Sequence, residues 1–272
     1  MLTSTLRRLK TNLAFGRCIR RGLATARAGN DEVIFRKLSD AMRSARQSPS
    51  ESLAAWAARI ETRRRTLQGS PDTLEIVDFG AGALRKKQTA VDGGGGVKTR
   101  LRVAQIVQAS KQPPWARLLY EICYQIRPTS VLEMGTCVGI SAAYLGAALE
   151  DRGEGRMITL EGDASIARLA KETLQSCGMS RVVCNIGPFE KTLGASLQEL
   201  RPVNLVFIDG NHREDATIAY FHELLPFMAP SGVLVFDDIN WSPGMERAWK
   251  SISQNAACQS VFDLEKIGIV SV

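Results

Sequence analysis

The sequence predicts an α/β protein whose core is a doubly wound, mostly parallel sheet, preceded by a basic helical extension. From residue 130 to residue 238, short apolar runs of strand length alternate with helical patterns, which is typical of a parallel sheet with crossover helices on both faces. Four of these runs end in an acidic residue, and two glycines follow the first run. Because ligands bind at the carboxyl ends of parallel strands, these observations also predict where a site would lie.

Composition divides the chain into two parts of opposite charge. Hydrophobic residues make up 44% of the 272 residues, enough for a sizeable core. Lys and Arg outnumber Asp and Glu 21 to 9 over residues 1–110, whereas the acids outnumber the bases 19 to 14 over residues 111–272. We therefore expect a basic, mainly helical cap over residues 1–110, with a short hairpin or lid, and a ligand-binding domain over residues 111–272.

Cysteine usage and hydropathy indicate a cytoplasmic protein. The six cysteines are scattered without a C-x-x-C pair, which favours neither a disulfide framework nor structural zinc. No window approaches eighteen uncharged apolar residues, so we expect no transmembrane segment. The sequence leaves a homodimer open.

The first 30 residues form a basic amphipathic pattern. They carry seven Arg or Lys residues and no acid, and Leu2, Leu6, Leu9 and Leu13 recur at near-helical spacing. Three interpretations stay open: a helix that is packed on the chain or frayed, an arm for a membrane surface or nucleic acid, and an organelle transit peptide. We favour the helix, because a basic terminus alone discriminates poorly among them.

Two helices are expected between residues 31 and 67, separated at Ser48-Pro49-Ser50. Apolar residues recur at helical spacing on each side of this break. Pro49 cannot continue the first helix, and Ser50 is a good N-cap for the second.

The stretch from residue 74 to residue 82 alternates like a strand and closes with glycines. It is either a short edge hairpin or a lid over a ligand site. Residues 92–96, one aspartate and four glycines, indicate a flexible linker. After it, residues 97–109 are expected to be helical and to lead into the second part.

Strands and helices alternate in the second part of the chain. The expected helices cover residues 115–126, 142–149, 164–177, 191–200 and 215–228. The expected strands cover residues 130–133, 156–161, 181–186, 203–209 and 232–238, followed by an antiparallel hairpin of residues 260–264 and 268–272.

Residues 130–141 are read as a strand, a tight turn and the start of a helix. The pattern Glu133-x-Gly135-x-x-x-Gly139 follows the first apolar run, and Gly135 lets the backbone bend sharply and pass close to a ligand. The first turn of the helix offers backbone N–H groups to a polar ligand. The G-x-G-x-x-G spacing of dinucleotide-binding folds does not occur at this turn, which argues against NAD.

This spacing of acid and glycines resembles the end of the first strand in class I S-adenosylmethionine (SAM) methyltransferases. With the acids downstream, residues 113–272 resemble most strongly the catechol O-methyltransferase-like, cation-dependent O-methyltransferases. The resemblance implies a Rossmann-like, seven-stranded sheet and SAM as the cofactor. It also implies transfer of a methyl group to a hydroxyl of a small molecule, such as a polyphenol or a sugar-containing metabolite.

The cofactor residues follow from this resemblance and from Glu161. An acid at the end of the second strand can accept both hydroxyls of an adenosine ribose. The resemblance assigns the ribose to Glu161, the methionine end of SAM to Glu133, Gly135 and Ser141, and the adenine side to residues 187–190. The full set of expected cofactor-binding residues is Glu133, Gly135, Thr136, Gly139, Ser141, Glu161, Gly187, Phe189 and Asp209.

Three aspartates are candidates for a metal site. Asp209, Asp237 and Asp238 lie at the ends of two expected strands, and three hard oxygen ligands suit Mg²⁺ or another divalent cation. A bound ion would lower the pKa of an acceptor hydroxyl and align its oxygen. The catechol family has Asp, Asp and Asn in this set, and Asp238 holds the third position here. Alternatively, the three acids cap loops or lie near SAM without a metal.

His212 and Asp209 are the candidate catalytic residues. His212 occupies the place of the family's catalytic lysine, and a near-neutral imidazole can take the hydroxyl proton directly. Alternatively, His212 caps the helix that follows or stabilises the loop.

Two rival functions stay open. A nucleic-acid methyltransferase would dock through the basic N-terminal part. However, Asp209-Gly210-Asn211-His212 is not the proline-rich pattern of adenine N6 enzymes, and no Pro-Cys pair suggests cytosine chemistry. The other rival is a SAM-binding protein without turnover, which the retained acids and His212 do not favour.

Overall fold

Nine strands form two sheets in the described part of the chain. The structure, a computed structural model, describes residues 2–79 and 97–272. The strands in chain order are β1 (Thr73–Asp78), β2 (Val97–Arg102), β3 (Ser130–Met134), β4 (Arg156–Glu161), β5 (Val182–Ile186), β6 (Val203–Ile208), β7 (Met228–Phe236), β8 (Val261–Asp263) and β9 (Gly268–Ser271). β1 and β2 pair with each other, and the other seven form one sheet.

Ten α-helices flank these sheets in the same described residues. They are α1 (Leu2–Thr25), α2 (Glu32–Ser44), α3 (Glu51–Gln68), α4 (Val103–Ile106), α5 (Pro113–Ile126), α6 (Ile140–Arg152), α7 (Ala164–Cys177), α8 (Phe189–Leu200), α9 (Glu214–Leu224) and α10 (Pro243–Ser253). None of the described helices is long and apolar enough to cross a membrane.

The large sheet has the order β5-β4-β3-β6-β7-β9-β8. β3 to β7 run parallel, and β9 pairs antiparallel with both β7 and β8. The chain starts this sheet at β3, builds outward to β5, and then returns to place β6 on the other side of β3. The carboxyl ends of β3, β4 and β6 therefore surround the crevice where ligands bind in such sheets. The predicted doubly wound, seven-stranded fold is confirmed.

Side chains alternate between two apolar cores, one on each face of the sheet. Val131 of β3, Phe207 of β6 and Val235 of β7 pack into one core with α1, α2, α3, α5, α6 and α7. Their neighbours Leu132 and Ile208 pack into the other core with α8, α9 and α10. Because strand side chains alternate with a period of two, every second residue of a strand faces the same core.

The N-terminal helix is packed, as we favoured. Phe15 makes an edge-to-face contact with Trp115 at 4.9 Å between ring centroids, and Ile19 is fully buried. The Arg21 guanidinium pairs with Glu265 at 2.8 Å, near the closing hairpin. Residues on both sides of the expected boundary at residue 110 share one apolar core, so the division into two domains stays a prediction.

Three differences separate the predicted and observed elements. Residues 97–102, expected to be helical, form β2, whose exposure alternates along its length as it pairs with β1. α10, capped by Ser242, was not predicted. The helix expected to reach residue 228 ends at Leu224, because a 3-10 turn containing Pro226 leads directly into β7. The N-cap at Ser50 is confirmed, and the glycine turn at residues 80–82 and the linker at 92–96 lie outside the described residues.

Candidate active site

The glycine turn after β3 brings the ends of three strands together. Gly135 has a positive φ of 107°, and a Cβ atom there would collide with the carbonyl oxygen of Asp209. Only glycine therefore lets β3 and the residue after β6 lie so close. The backbone N–H groups of Gly135 and Thr136 both donate to the carbonyl oxygen of Leu160, each at 3.1 Å. These bonds fix the turn against the end of β4.

Glu161 is tied to the same turn. Its Oε2 accepts the Cys137 N–H at 2.8 Å, and its Oε1 accepts the Asp163 N–H at 3.0 Å. Burial raises the pKa of Glu161 to about 7, although the backbone N–H groups of Asp163, Cys137 and Gly162 favour its charged form. A carboxylate has about four acceptor positions, so after these bonds Glu161 retains capacity for two hydroxyl donors of a ligand.

Glu133 is the most buried acid of the site. Its side chain points to the core that contains Val131, and Thr159 donates to its Oε2 at 2.5 Å. Its Oε1 is buried and makes no hydrogen bond of regular geometry among the described residues, although the nearby Ser141 hydroxyl favours the charged form of Glu133. Burial raises the pKa of Glu133 to about 7. Since an orphaned buried oxygen is rare, this atom fits a donor group of a bound ligand.

The remaining predicted cofactor residues occupy different environments. Gly139 adopts a positive φ of 83° as the N-cap of α6, and Ser141 is buried in the first turn of that helix. Thr136, in contrast, is only 1% exposed and its hydroxyl lies 2.5 Å from that of Thr159. Because Thr159 donates to Glu133, the Thr136 hydroxyl donates to Thr159. The Thr136 side chain thus supports Glu133 inside the protein, and a contact of Thr136 with the cofactor stays a prediction.

Gly187 and Phe189 lie beside the acids. The Gly187 N–H donates to the carbonyl oxygen of Glu161 at 2.8 Å. Phe189 begins α8, packs edge-to-face on Tyr220 at 5.7 Å between centroids, and lies against Gly210. An adenine placed between Glu161 and the turn after β6 would therefore contact Gly187 and Phe189. This role stays a prediction.

A buried lysine lies between two of the predicted metal ligands. The Lys111 Nζ is 3.2 Å from Asp209 Oδ2, and it also contacts Asp237 Oδ2. The side chains of Lys111 and Asp237 are 4% and 1% exposed. Asp209, Asp237 and Phe207 belong to the same face of the sheet, which explains why one lysine on that side reaches both acids.

The third predicted ligand, Asp238, is separated from the other two. It follows Asp237 directly and lies beyond the last residue of β7. Its Oδ1 lies 3.5 Å from Lys266 Nζ, and its φ is +51°. No cluster of three or more His, Cys, Asp or Glu side chains suited to a metal occurs within residues 2–79 and 97–272. The expected divalent cation is not confirmed, and the arrangement around Lys111 does not fit one.

His212 lies where a base could act. Its Nε2 is 3.6 Å from Asp209 Oδ1, too long for a direct hydrogen bond, and its side chain is largely buried. It does not cap α9: Arg213 is the N-cap residue of that helix. The catalytic assignment of His212 and Asp209 stays a prediction.

The β1–β2 pair lies next to Glu161. The Val77 N–H donates to Asp163 Oδ2 at 2.7 Å, and Phe79 packs so closely on Gly162 that a Cβ atom there would clash. The short sheet is therefore placed at the cofactor side of the crevice. Whether it acts as a lid stays a prediction.

Sequence reasoning did not find Lys111. The available signal was that five acids at strand ends need a positive counter-charge. We assigned that charge to a metal ion. Lys111 is a single basic residue in a loop, and no local pattern marks it as the partner of distant carboxylates.

Comparison with known proteins supports one family. Residues 132–239, from β3 to the turn after β7, match the family model described as a methyltransferase domain. This match and the relatives described below support a class I SAM-dependent O-methyltransferase family. The matched residues include both strand-end glutamates, the glycine turn and the three aspartates. The recognition made from the Glu133-x-Gly135-x-x-x-Gly139 pattern is therefore confirmed.

Curated relatives and solved structures agree with this assignment. The chain is 28% identical over 130 residues to a catechol O-methyltransferase from Niastella koreensis, covering 47% of this chain and 56% of the relative. It is 31% identical over 115 residues to a catechol O-methyltransferase from Mycobacterium tuberculosis, covering 42% and 50%. The chain thus spans about half the length of the curated relatives it matches.

Among solved structures, the fold is similar to that of the O-methyltransferase TomG from Streptomyces achromogenes in complex with SAM. The TM-score is 0.52 and the sequence identity 19%, and the alignment covers 83% of this chain and 91% of TomG. At this identity the similarity concerns the fold alone.

Proposed function

We propose that the protein transfers a methyl group from SAM to a hydroxyl of a small molecule. One observation carries the proposal: Glu133 and Glu161 flank the glycine turn as buried acids, and Glu133 keeps an oxygen without a hydrogen-bond partner in the described chain. Buried acids of this kind fit a ligand that brings several donors, such as a nucleoside with an ammonium group.

The same residues suggest how SAM would be held. Glu161 has acceptor capacity for the two ribose hydroxyls, and Glu133 Oε1 suits the ammonium of the methionine end. Gly187 and Phe189 border the expected adenine side. When bound, SAM supplies a sulfonium methyl group that a nucleophilic oxygen can attack.

On the acceptor side, His212 is the proposed base. A hydroxyl between His212 and the sulfonium gives its proton to the imidazole, and its oxygen forms a bond to the methyl carbon. The carbon–sulfur bond breaks, and its electron pair stays on sulfur. Asp209, 3.6 Å from His212, favours the imidazolium that forms. The names of the two curated relatives support a phenolic hydroxyl as the acceptor.

We assign no step to a divalent cation. The predicted ligands Asp209 and Asp237 already share the Lys111 ammonium, and Asp238 is directed to Lys266. A positive charge in the expected metal position makes binding of a second cation unfavourable. The proposal therefore keeps the methyl transfer and leaves the metal out.

The rival functions have less support. Several basic side chains of the N-terminal part make contacts within the protein: Arg21 with Glu265, Arg63 with Glu172, and Arg64 with Glu61. These contacts give the basic charge a structural use without nucleic acid. A protein that binds SAM without turnover would not need His212 and Asp209 together at the crevice.

Isothermal titration calorimetry with SAM tests the cofactor part of the proposal. We expect binding to the wild-type protein, and roughly 100-fold weaker binding to Glu161→Ala, because two charge-assisted hydrogen bonds of about 1.5 kcal/mol each are lost. Glu154→Ala, which removes an exposed loop acid, is the matched control and should bind normally. Wild-type protein that releases no binding heat with SAM would contradict the proposal. Methyl transfer to a panel of catechols, other phenols and sugars then identifies the acceptor class.

A further inference from the structure

The Lys111 ammonium occupies a site that the fold builds for it. Its side chain is buried between Asp209 and Asp237, and its Nζ lies 5.7 Å from the centroid of the Phe207 ring. An ammonium close to two carboxylates and an aromatic face has electrostatic partners on several sides. Surface lysines rarely have such an environment, since they keep their charge in water.

The backbone of Lys111 is also held from the N-terminal helices. Arg64 of α3 donates to the carbonyl oxygen of Lys111 at 2.7 Å, and its guanidinium binds Glu61 through two contacts of 2.8 and 3.2 Å. Glu61 in turn accepts the Tyr144 hydroxyl of α6 at 3.1 Å. This buried chain of contacts runs from α6 through α3 to the loop before α5. These contacts hold the backbone of Lys111, from which its side chain extends.

The position of Lys111 coincides with the position predicted for a divalent cation. Asp209 and Asp237 were expected to be two of three ligands, and both instead contact one ammonium. A divalent ion at the same place would lie within contact distance of a positive charge and would lack Asp238 as a ligand. The lysine and the metal therefore exclude each other.

We propose that Lys111 replaces the divalent cation, so that this methyltransferase works without a metal. The inference rests on the proposed function for its role in methyl transfer. Lys111 acts as a positioning residue: it neutralises part of the charge of Asp209 and Asp237 and holds both carboxylates in place beside the acceptor. His212, which faces Asp209 from the other side, then takes the acceptor proton without a metal-bound oxygen.

The first test measures Mn²⁺ binding directly, by the loss of the free-ion signal in electron paramagnetic resonance. Wild-type protein, stripped of metal, should bind Mn²⁺ only weakly. Lys111→Met removes the charge while keeping an unbranched apolar side chain, and it should bind Mn²⁺ at least roughly tenfold more tightly, because two facing carboxylates are left without a cation. Mn²⁺ should also raise the melting temperature of Lys111→Met and leave that of the wild type unchanged.

The second test measures turnover in a chelator. We expect the wild type to keep its activity in EDTA, whereas Lys111→Met loses at least roughly tenfold and recovers part of the loss with Mn²⁺ or Mg²⁺. Lys111→Arg keeps the charge and should remain independent of metal. Lys250→Met, an exposed lysine on α10, is the matched control and should behave as the wild type.

The outcomes separate this inference from the proposed function. Tight Mn²⁺ binding by the wild type, or loss of its activity in EDTA, would overturn the replacement of metal by Lys111. So would a folded Lys111→Met variant with full activity in EDTA. If Lys111→Met does not fold, the wild-type Mn²⁺ titration still decides the question. If the wild type fails to bind SAM in calorimetry, the proposed function fails. The Mn²⁺ titration still tests whether Lys111 takes the place of a divalent cation.

Discussion

The two halves of the crevice treat their buried acids differently. On the cofactor side, Glu133 and Glu161 are held by neutral donors, and burial raises the pKa of each to about 7. On the acceptor side, Asp209 and Asp237 share the ammonium of Lys111. The first pair lacks a counter-charge in the described chain at contact distance, whereas the second pair carries one supplied by the protein itself.

This difference separates acids without a counter-charge from acids that have one, and Asp237 Oδ1 shares with Glu133 Oε1 the lack of a hydrogen-bond partner among the described residues. A buried carboxylate is costly unless it is paired, so the cofactor side should gain most from a cationic, donor-rich ligand. The side that carries Asp209 and Asp237 has less to gain from a further cation, which suits the neutral hydroxyl that we propose as the acceptor. The electrostatics of the crevice thus match a positively charged cofactor on one side and a neutral acceptor on the other.

The largest expected effect comes from the acceptor side. His212→Ala should lower kcat by roughly 10²–10³-fold, the usual contribution of a general base, because no other imidazole lies beside Asp209 in the described residues. SAM affinity should stay unchanged, since the cofactor acids are intact. Steady-state kinetics together with calorimetry measure both quantities.

His222→Ala provides the matched control for this experiment. His222 is the other histidine of the chain, lies on α9 and is exposed. Its replacement should leave kcat unchanged. An equal loss in both variants would mean that the effect is structural and that His212 is not the base.

The pH dependence of SAM binding tests the cofactor side. Because the pKa of Glu161 is raised to about 7 in the absence of ligand, the acceptor carboxylate is lost as the pH falls below 7, and SAM affinity should fall by up to about tenfold per pH unit for this group. Glu161→Gln should keep only the pH dependence that Glu133 contributes. Calorimetry between pH 6 and pH 8, a range of about one unit on each side of the pKa, checks this. An affinity that is flat across the range would contradict the comparison between the two halves.

Stability of the ligand-free protein should depend on the same groups with the opposite sign. The folded protein holds the Glu133 and Glu161 protons more tightly than the unfolded chain, whose glutamates titrate near 4.5. Their contribution to stability is therefore full below pH 4.5 and is lost as the pH rises through 7. Bound SAM reverses this contribution, because it favours the ionised carboxylates.

The smallest expected effect concerns Trp241 at the rim. Its side chain is 56% exposed, and its backbone N–H donates to the carbonyl oxygen of Asp238 at 2.9 Å. Trp241 therefore lies after β7, near the acceptor side. We expect Trp241→Ala to raise the KM for a phenolic acceptor about fivefold, since about 1 kcal/mol of ring contact is lost. Val183→Ala, an exposed apolar residue on β5, should leave KM unchanged. A rise in KM for SAM instead would assign Trp241 to the cofactor side.

The sheet could be predicted because each of its strands carries local signals. Apolar runs of strand length, helical patterns between them and acids at strand ends are all written within a few residues of each other. The signal for the glycine turn was equally local, since Gly135 is recognisable by its spacing from Glu133, although the reason for a glycine there is the tertiary approach of Asp209. These features need no knowledge of distant parts of the chain.

The elements that were missed depend on tertiary contacts. In β2, Val97, Thr99 and Leu101 alternate with basic residues, and this period of two is consistent with a strand. The adjoining short helix made the whole stretch look helical, and only pairing with β1 decides the outcome. α10 begins with Pro243-Gly244, which reads as a turn until Ser242 is seen to cap it.

The part of the site that could not be predicted is the counter-charge. Asp209 and Asp237 were found because they follow buried strands, but Lys111 comes from a loop that is remote from both in the sequence. Asp238 lies beyond the end of β7 at a positive φ, and its contact with Lys266 depends on the tertiary structure. A metal and a lysine satisfy the same electrostatic need, so sequence alone left the choice open.

The link between Arg64 and the Lys111 carbonyl changes what counts as the minimal unit of this protein. A version cut just ahead of Pro113 would contain all seven strands of the large sheet and the whole family-matched segment, yet it would lose the ammonium and the helix that anchors it. Two carboxylates would then face each other without compensation, and the trimmed protein would have to recruit an ion from solution. The helical region in this sense holds in place the positive charge that the two aspartates of the sheet require.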